Sequence, residues 1–457
     1  MKKKFLTSVC FLFGAFIVGA QTRYELTVKE AVELAFQNVA ELKNAQLDYK
    51  IQELRNKEIE GQALPQVSGA VQGNYFIKTP KFLFPTSEEP IYTVLKRENL
   101  IPSSTQAPAP SYSQFSFQQP WNLSFGATLT QLLFQPDVFV GLQARKTALN
   151  YSQSLVDQTR ERVKDSAYRA YYAILIADKV LHFLNEGIDR LEKLHHDDSI
   201  MFKNGFAEKL DVDKVEVQLN NLKTNRNAVE AALNIAYARL KFAIGVSQKD
   251  EVALKENLNN ATIKENLLDE SFNYDARPEI RTLQTLKDLQ DLDLKRNKLQ
   301  AAPTVTALGN YTVSAMGQKF FTHPDDIWVN SAYVGVNISV PIFDGLQRRR
   351  RVDQVKLNAE KVENSLTMTK QAIDFEQYAT KEGLVTALQN LDAQDRNMQL
   401  AESVYNATKT KFQQGVGSSF EVLQADSDLQ QSQSNYFNAL YNAIVAKIGY
   451  LYSLGKL

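Results

Sequence analysis

Phe202-Lys203-Asn204-Gly205-Phe206-Ala207-Glu208-Lys209-Leu210-Asp211-Val212 is echoed 210 residues later by Phe412-Gln413-Gln414-Gly415-Val416-Gly417-Ser418-Ser419-Phe420-Glu421-Val422. Phe, Gly and Val coincide, and an acid stands at the same place in both copies, Asp211 and Glu421. Each copy ends one long polar-rich helical pattern and starts another. A glycine just past a helix supplies a left-handed cap. An acid in the first turn of the next helix is favoured by the macrodipole. Each copy therefore predicts the tip of a helical hairpin.

The repeat extends outward from the tips. Tyr168 matches Tyr378, Leu219 matches Leu429, Ala236 matches Ala446, and Ile244-Gly245 matches Leu454-Gly455, all at the same spacing. Upstream, Leu132-Leu133-Phe134 matches Pro341-Ile342-Phe343 at 209 residues, while Pro65 matches Pro303 and Glu41-Leu42 matches Glu279-Ile280 at 238. The difference falls in a loop that is longer in the first half. The chain is thus a tandem duplication of one long unit, and two such units do not make an ordinary solenoid.

The two ends of the pattern bound its address. Met1-Lys2-Lys3-Lys4, an apolar run from Phe5 to Val18 and the small residues Gly19-Ala20 predict a secretory signal over 1–20, with the mature chain starting at Gln21. Cys10, the only cysteine, lies inside that signal, so disulfides and thiol chemistry are excluded from the mature chain. Formal charge is zero, and removal of the three signal lysines leaves −3, which provides no electrostatic footprint for nucleic acid. After residue 20 no apolar run is long enough for a membrane helix.

Taken in order, the first repeat (21–245) opens with a capping box, Thr27 to Glu30, on a helix expected to run to about Gly61. Strands follow at about 66–77 and 121–133, separated by a Pro-, Ser- and Gln-rich stretch, 78–120, that reads as a long exposed loop. A helix from about Val138 to Met201 has roughly 60 residues, on the order of 90 Å. The tip 202–211 and a returning helix complete the repeat. A polar connector, 246–275, leads to the second repeat (276–457): a helix, strands at about 303–313 and 331–342, a loop of about 314–330 holding Trp328, a long helix, the tip 412–421 and a last helix.

The strands alternate. Trp121, Leu123 and Phe125 share one face of the second strand, and Val334, Val336 and Ile338 share one face of the fourth, against small or polar neighbours. An apolar outer face with a polar inner one suits a membrane β-barrel whose lipid face these six residues form. Four strands cannot close a barrel, so several chains must contribute. Three copies would supply twelve strands. The helices carry only narrow seams, such as Val212, Val215, Leu219 and Leu222, suited to coiled-coil packing.

The whole mature chain resembles the TolC family of outer-membrane efflux proteins. The resemblance rests on the duplicated order of elements, Leu64-Pro65 before the first strand, Arg277-Pro278-Glu279-Ile280 opening the second half, Val340-Pro341-Ile342-Phe343-Asp344-Gly345 closing the last strand, and the two Gly-centred tips. It implies a mainly α fold with membrane β structure: a homotrimer with a twelve-stranded barrel in outer-membrane lipid and a long α-helical tunnel extending into the periplasm. It implies a passive exit duct for small molecules or polypeptides in tripartite efflux or type I secretion. A periplasmic adaptor and an inner-membrane pump would dock at the tips, where Phe202, Gly205, Phe412, Gly415 and Gly417 lie. The family gate maps onto Asp211, with Glu421 and Gln424 at the constriction. Where the family has the Arg that ties the closed gate, this chain has Gly417, and where it has a second acid, this chain has Gln424.

The remaining signals are weaker. Gly415-Val416-Gly417 follows a helix rather than a strand, so it is no dinucleotide loop. His195-His196-Asp197-Asp198 reads as a solvated helix surface near the tip rather than a metal site. Arg348 to Arg351 opens a helix against its dipole and either meets lipid phosphates or forms a hydrated face. No nucleophile–base set, cofactor loop or metal spacing points to an enzyme. The competing class is a periplasmic adaptor with helical hairpins and no membrane barrel; it usually has one hairpin, against two here.

Overall fold

The four strands of the duplicated pattern form one antiparallel sheet in the order β2-β5-β7-β8: β2 (Gln66–Tyr75), β5 (Trp121–Phe134), β7 (Thr304–Gly317) and β8 (Ile327–Ser339). The structure, a computed structural model, describes residues 23–256, 272–319 and 327–457. The predicted signal lies outside them, as do 257–271 of the connector and 320–326 of the second inter-strand loop. The numbering of strands starts at β1 (Arg23–Leu26), and the described chain falls into two compact units.

One unit comprises residues 53–146 and 289–358. Its sheet sorts the side chains by register, because paired residues share a face. Val71 pairs with Phe125 and Phe125 with Val313, while Gly309 joins Leu129 to Val334. The outcome is one mainly apolar face, which also holds Gln131 and Asn330, and an opposite face of Ser, Thr, Asn and Gln, interrupted by Leu132, Leu308, Met316, Val329 and Tyr333. On the polar face Asn310 Nδ2 donates to Thr128 Oγ1 at 2.9 Å, and Thr312 Oγ1 donates to Asn310 Oδ1 at 2.8 Å. None of the four strands contains a charged residue. Aromatic pairs mark both ends of the band: Tyr75 against Trp121 at 4.7 Å and Phe134 against Phe139 at 5.6 Å. β2 and β8 are the two edges of the sheet.

Two expectations need correction here. Residues 78–120 are not a plain loop. They contain β3 (Phe82–Thr86) paired antiparallel with β4 (Ser111–Phe115), and between them the helix numbered α3 in chain order (Glu89–Arg97). Their prolines masked this: Pro85 lies within a two-stranded ribbon, where an outward N–H is not needed, and Pro90 sits in the first turn of its helix, where none is needed either. Trp328, assigned to a loop, lies in β8 and pairs with Ala315. The alternation continues through it, so the strand starts earlier than its polar beginning suggests.

The other unit comprises the described part of 1–52, with 147–288 and 359–457. It is helical apart from β1, which pairs in parallel with β6 (Glu251–Leu254). Thr27 and Glu30 form the expected capping box: the Thr27 amide donates to the Glu30 carboxylate at 2.8 Å and the Glu30 amide to Thr27 Oγ1 at 3.3 Å. The helix it opens does not run to Gly61. It divides into α1 (Val28–Asn38) and α2 (Ala40–Gln62) at Val39, which is extended. The cause is a close approach. A Cβ on Gly245 would stand 2.7 Å from the Asn38 carbonyl carbon and 2.8 Å from the Val39 nitrogen. The second half repeats this contact, with Gly455 in place of Gly245 and Ala276 in place of Asn38; a Cβ on Gly455 would lie 2.9 Å from the Ala276 oxygen. Only glycine allows both the positive φ and that approach.

The long hairpins are α4 (Pro136–Lys203) with α5 (Lys209–Ala243), and, after α6 (Pro278–Leu299), α7 (Gln347–Gln413) with α8 (Ser419–Ser453). At 68 residues α4 is about 100 Å long. The predicted seam is real in part: Val215, Leu219 and Leu222 are buried with Ile188, Leu191, Val422 and Leu429 in one cluster near the tips. Before α6, Arg277 is buried; its guanidinium donates to Glu279, to Glu376 and to the Ser453 carbonyl, and lies over the Tyr452 ring. Arg277-Pro278 thus ties the start of the second repeat to its last helix.

Candidate functional site

The two tips are built alike. In the first, Gly205 is left-handed; its amide donates to the Phe202 carbonyl at 3.0 Å and the Phe206 amide to Met201 at 2.9 Å. In the second, Gly415 is left-handed, and the Gly415 and Val416 amides donate to Phe412 and Lys411 at 3.0 and 3.1 Å. This double bond pattern is the Schellman cap. The helices then restart differently. Ser418 caps α8 by accepting the Glu421 amide at 3.3 Å, while Glu208, its counterpart, makes no side-chain cap. Phe412 packs in the tip cluster, whereas its counterpart Phe202 is half exposed.

Asp211 lies in the first turn of α5, 3.5 Å from Lys214. The Lys214 ammonium stands over the Phe420 ring at 5.0 Å, joining the two tips of one chain. Glu421 is exposed and 3.9 Å from Lys411. Each acid's cation is therefore on its own hairpin. Gly417 has its own reason: a Cβ there would meet the Phe412 nitrogen at 3.1 Å and the Lys411 carbonyl carbon at 3.4 Å. The backbone of this turn leaves no room for the missing Arg without a shift.

Gln424 Nε2 donates to Asp428 Oδ1 at 3.0 Å. Glu421, Gln424 and Asp428 are exposed on one face of α8, while Val422, Ala425, Asp426 and Leu429 face the core. Asp428 was not singled out from the sequence. Its signal was there, two helical turns after Glu421 and hence on the same face.

Two buried acids were also missed. Asp198 is fully buried and neither carboxylate oxygen makes a hydrogen bond of ordinary geometry, which corrects the solvated-surface reading for this residue, while His196 is exposed and His195 and Asp197 are half-buried. Burial pushes the Asp198 carboxyl up; Ser419 and His195 oppose, while Asp211 and Asp197 add to the rise. Asp426 is 1% exposed and accepts from Arg190 Nε at 2.6 Å and from Gln430; burial raises its pKa and Arg190 counters. Arg190 also stacks on Tyr405 at 5.4 Å. These contacts link α4, α7 and α8 just behind the tips.

A carboxyl whose folded pKa is raised stabilises the fold fully below its unfolded value, near 4, and loses that stability as pH climbs through the folded value. Asp198→Asn keeps the shape and removes the charge. It should stabilise the helical unit by about 1–3 kcal/mol at pH 7.5 and leave it unchanged at pH 4. Hydrogen exchange of the tip amides at both pH values checks this. Equal protection in both proteins at pH 7.5 would mean that Asp198 is hydrated.

In the sheet unit, all six predicted band residues, Trp121, Leu123, Phe125, Val334, Val336 and Ile338, fall on the apolar face. Val334 is 90% exposed in the single chain. Among the described residues no helix is long and apolar enough to cross a membrane. Of the four arginines, Arg348 bonds Asp344 through its amide and Nε at 2.9 and 3.0 Å, Arg351 donates to Gln300, and Arg350 is 3.8 Å from Asp353. The Asp344 carboxylate thus offsets the unfavourable cations at this helix N-terminus. Among the described residues no cluster of His, Cys, Asp and Glu could hold a metal.

Residues 286–454 match the family model of the outer membrane efflux protein. Outer membrane protein TolC of Vibrio cholerae is 20% identical over 338 residues, covering 73% of this chain and 77% of that protein. TolC of Escherichia coli K12 is 22% identical over 344 residues, 72% and 68% of the two chains. Among solved structures, the CusC channel superposes with a TM-score of 0.72 at 14% identity, over 94% of this chain and 92% of that one. The CmeC outer membrane channel of Campylobacter jejuni gives 0.69 at 15%, over 100% and 94%. The fold is therefore that of the trimeric channels whose shared barrel continues into a helical tunnel. The chain is similar to the TolC-type outer-membrane efflux proteins, and with the family match over residues 286–454 this supports an exit channel in the outer membrane that reaches into the periplasm.

Proposed function

We propose that this channel is a passive duct gated at its hairpin tips, with Glu421 and Asp428 as the acidic lining of the constriction and Gln424 holding Asp428 between them. The single observation that supports this most is their shared exposed face on α8, opposite a buried face, with one side-chain hydrogen bond and one long ion pair among the described residues. In a trimer three such faces make an anionic ring, which favours cations as charged pore rings do. The resting gate is held by Lys214 on Phe420 and by the Arg190–Asp426 pair in place of the Arg that is Gly417 in this chain. Drive comes from an inner-membrane pump through a periplasmic adaptor that seats on the tips around Phe202, Gly205, Phe412 and Gly415. Cargo is a small molecule or a polypeptide; an uncharged, hydroxyl- and amide-rich inner barrel face places no charge filter on either.

The test is a bilayer recording. Glu421→Ala with Asp428→Ala should lower the cation-to-anion permeability ratio about twofold or more. Unchanged selectivity removes these acids from the constriction. The same preparation first gives its molar mass by light scattering. A trimer supports the duct, and a stable monomer leaves open sheet edges in lipid, which is untenable.

A further inference from the structure

The insertion between β2 and β5 presents an apolar surface that its own chain leaves open. β3 and β4 are pinned by the Thr86 hydroxyl donating to the Ser111 carbonyl at 2.9 Å. Phe82, Phe84 and Phe115 each meet Phe117 at 5.9 to 6.4 Å, yet Phe117 is 67% exposed. α3 carries Ile91, Val94 and Leu95 on one stripe and buries none of its residues. A helix amphipathic in this way, with its apolar stripe in water, is built for a partner.

Position and charge select the partner. The insertion leaves the sheet at Tyr75, the end of edge strand β2 that lies away from the helices, and returns at Trp121, paired with Tyr75. The other edge, β8, begins at that same end, since Ile327 pairs with Met316 and Gly317 with Trp121. Closing the barrel sets β8 of one copy beside β2 of the next. The insertion therefore leaves the sheet beside the seam between copies. Residues 78–120 hold four cations and three acids, too balanced a set to seek the phosphates of a lipid surface. We propose that the insertion packs through Ile91, Val94 and the Phe117 cluster on the adjacent copy of this chain, extending the strand seam into a contact at the outer end of the trimer.

This inference rests on the trimeric channel, and the experiment separates the two. The photo-reactive residue p-benzoylphenylalanine replaces Ile91 in the full chain, and the outer membranes are irradiated. A dimer-sized adduct is expected whose linked peptide belongs to this same chain. Placed instead at Leu100, an exposed side chain just after α3, the probe should give the same adduct and lose it when Ile91→Glu and Val94→Glu are added, with the trimer mass retained. An intact trimer whose adducts go to lipopolysaccharide, to other proteins or only within one chain overturns the contact and leaves the channel standing. A monomeric mass overturns both.

Discussion

Val334→Arg should prevent the channel from assembling in the outer membrane, whereas Ser331→Arg, on the same strand, should not. Val334 sits in the middle of β8, pairs with Gly309 and is 90% exposed in the single chain. Its face contains Leu129, Phe125 and Val336 and no polar group other than Asn330 on this strand. An Arg on the lipid face near the bilayer midplane costs about 2–4 kcal/mol. A trimer incurs that three times, which approaches the whole stability of an ordinary domain. Ser331 pairs with Thr312 on the opposite face, beside Asn310 and Ser314. A cation there is solvated by the lumen. The measurement is the heat-resistant oligomer band in outer-membrane fractions. A normal band for Val334→Arg with a lost band for Ser331→Arg would show that the faces are reversed.

The second large effect is expected at Asp426. Its carboxylate is buried and holds Arg190, whose side chain is only 19% exposed. Asp426→Leu leaves that cation uncompensated, which in buried pairs costs about 3–5 kcal/mol. The pair joins α4 to α8 behind the tips, so the loss should appear as a raised resting conductance and faster exchange of the tip amides. Arg190→Met combined with Asp426→Leu replaces the pair by apolar groups, and such swaps are often neutral or stabilising. The double variant should thus return to a low resting conductance. If the single and double variants conduct alike, the pair does not hold the gate and the closure must lie with Lys214 and Phe420.

Several parts of the fold were legible because they rest on local rules. The Schellman tips follow from a glycine after a helix, the capping box from Thr27 and Glu30, and the apolar face of the sheet from strict alternation. The register then added nothing to the composition of that face; it only brought the six residues into line. Other parts were not legible. Val39 has no breaker signal of its own, and it is extended because Gly245, more than 200 residues away, closes on it. The ribbon and helix within 78–120 were hidden by prolines placed where no N–H is required. Asp198 and Asp426 read as surface acids because helical position alone does not reveal which neighbour will cover a face.

By itself the sequence determined the duplication, the two tips, the charge-free strands and the need for more than one chain, since each follows from spacing, alternation or the closure of hydrogen bonds in lipid. Only the tertiary structure decided which acids are buried and why position 417 is glycine. Those depend on the approach of distant backbones and helices, where a few tenths of an ångström separate a tolerated side chain from an excluded one.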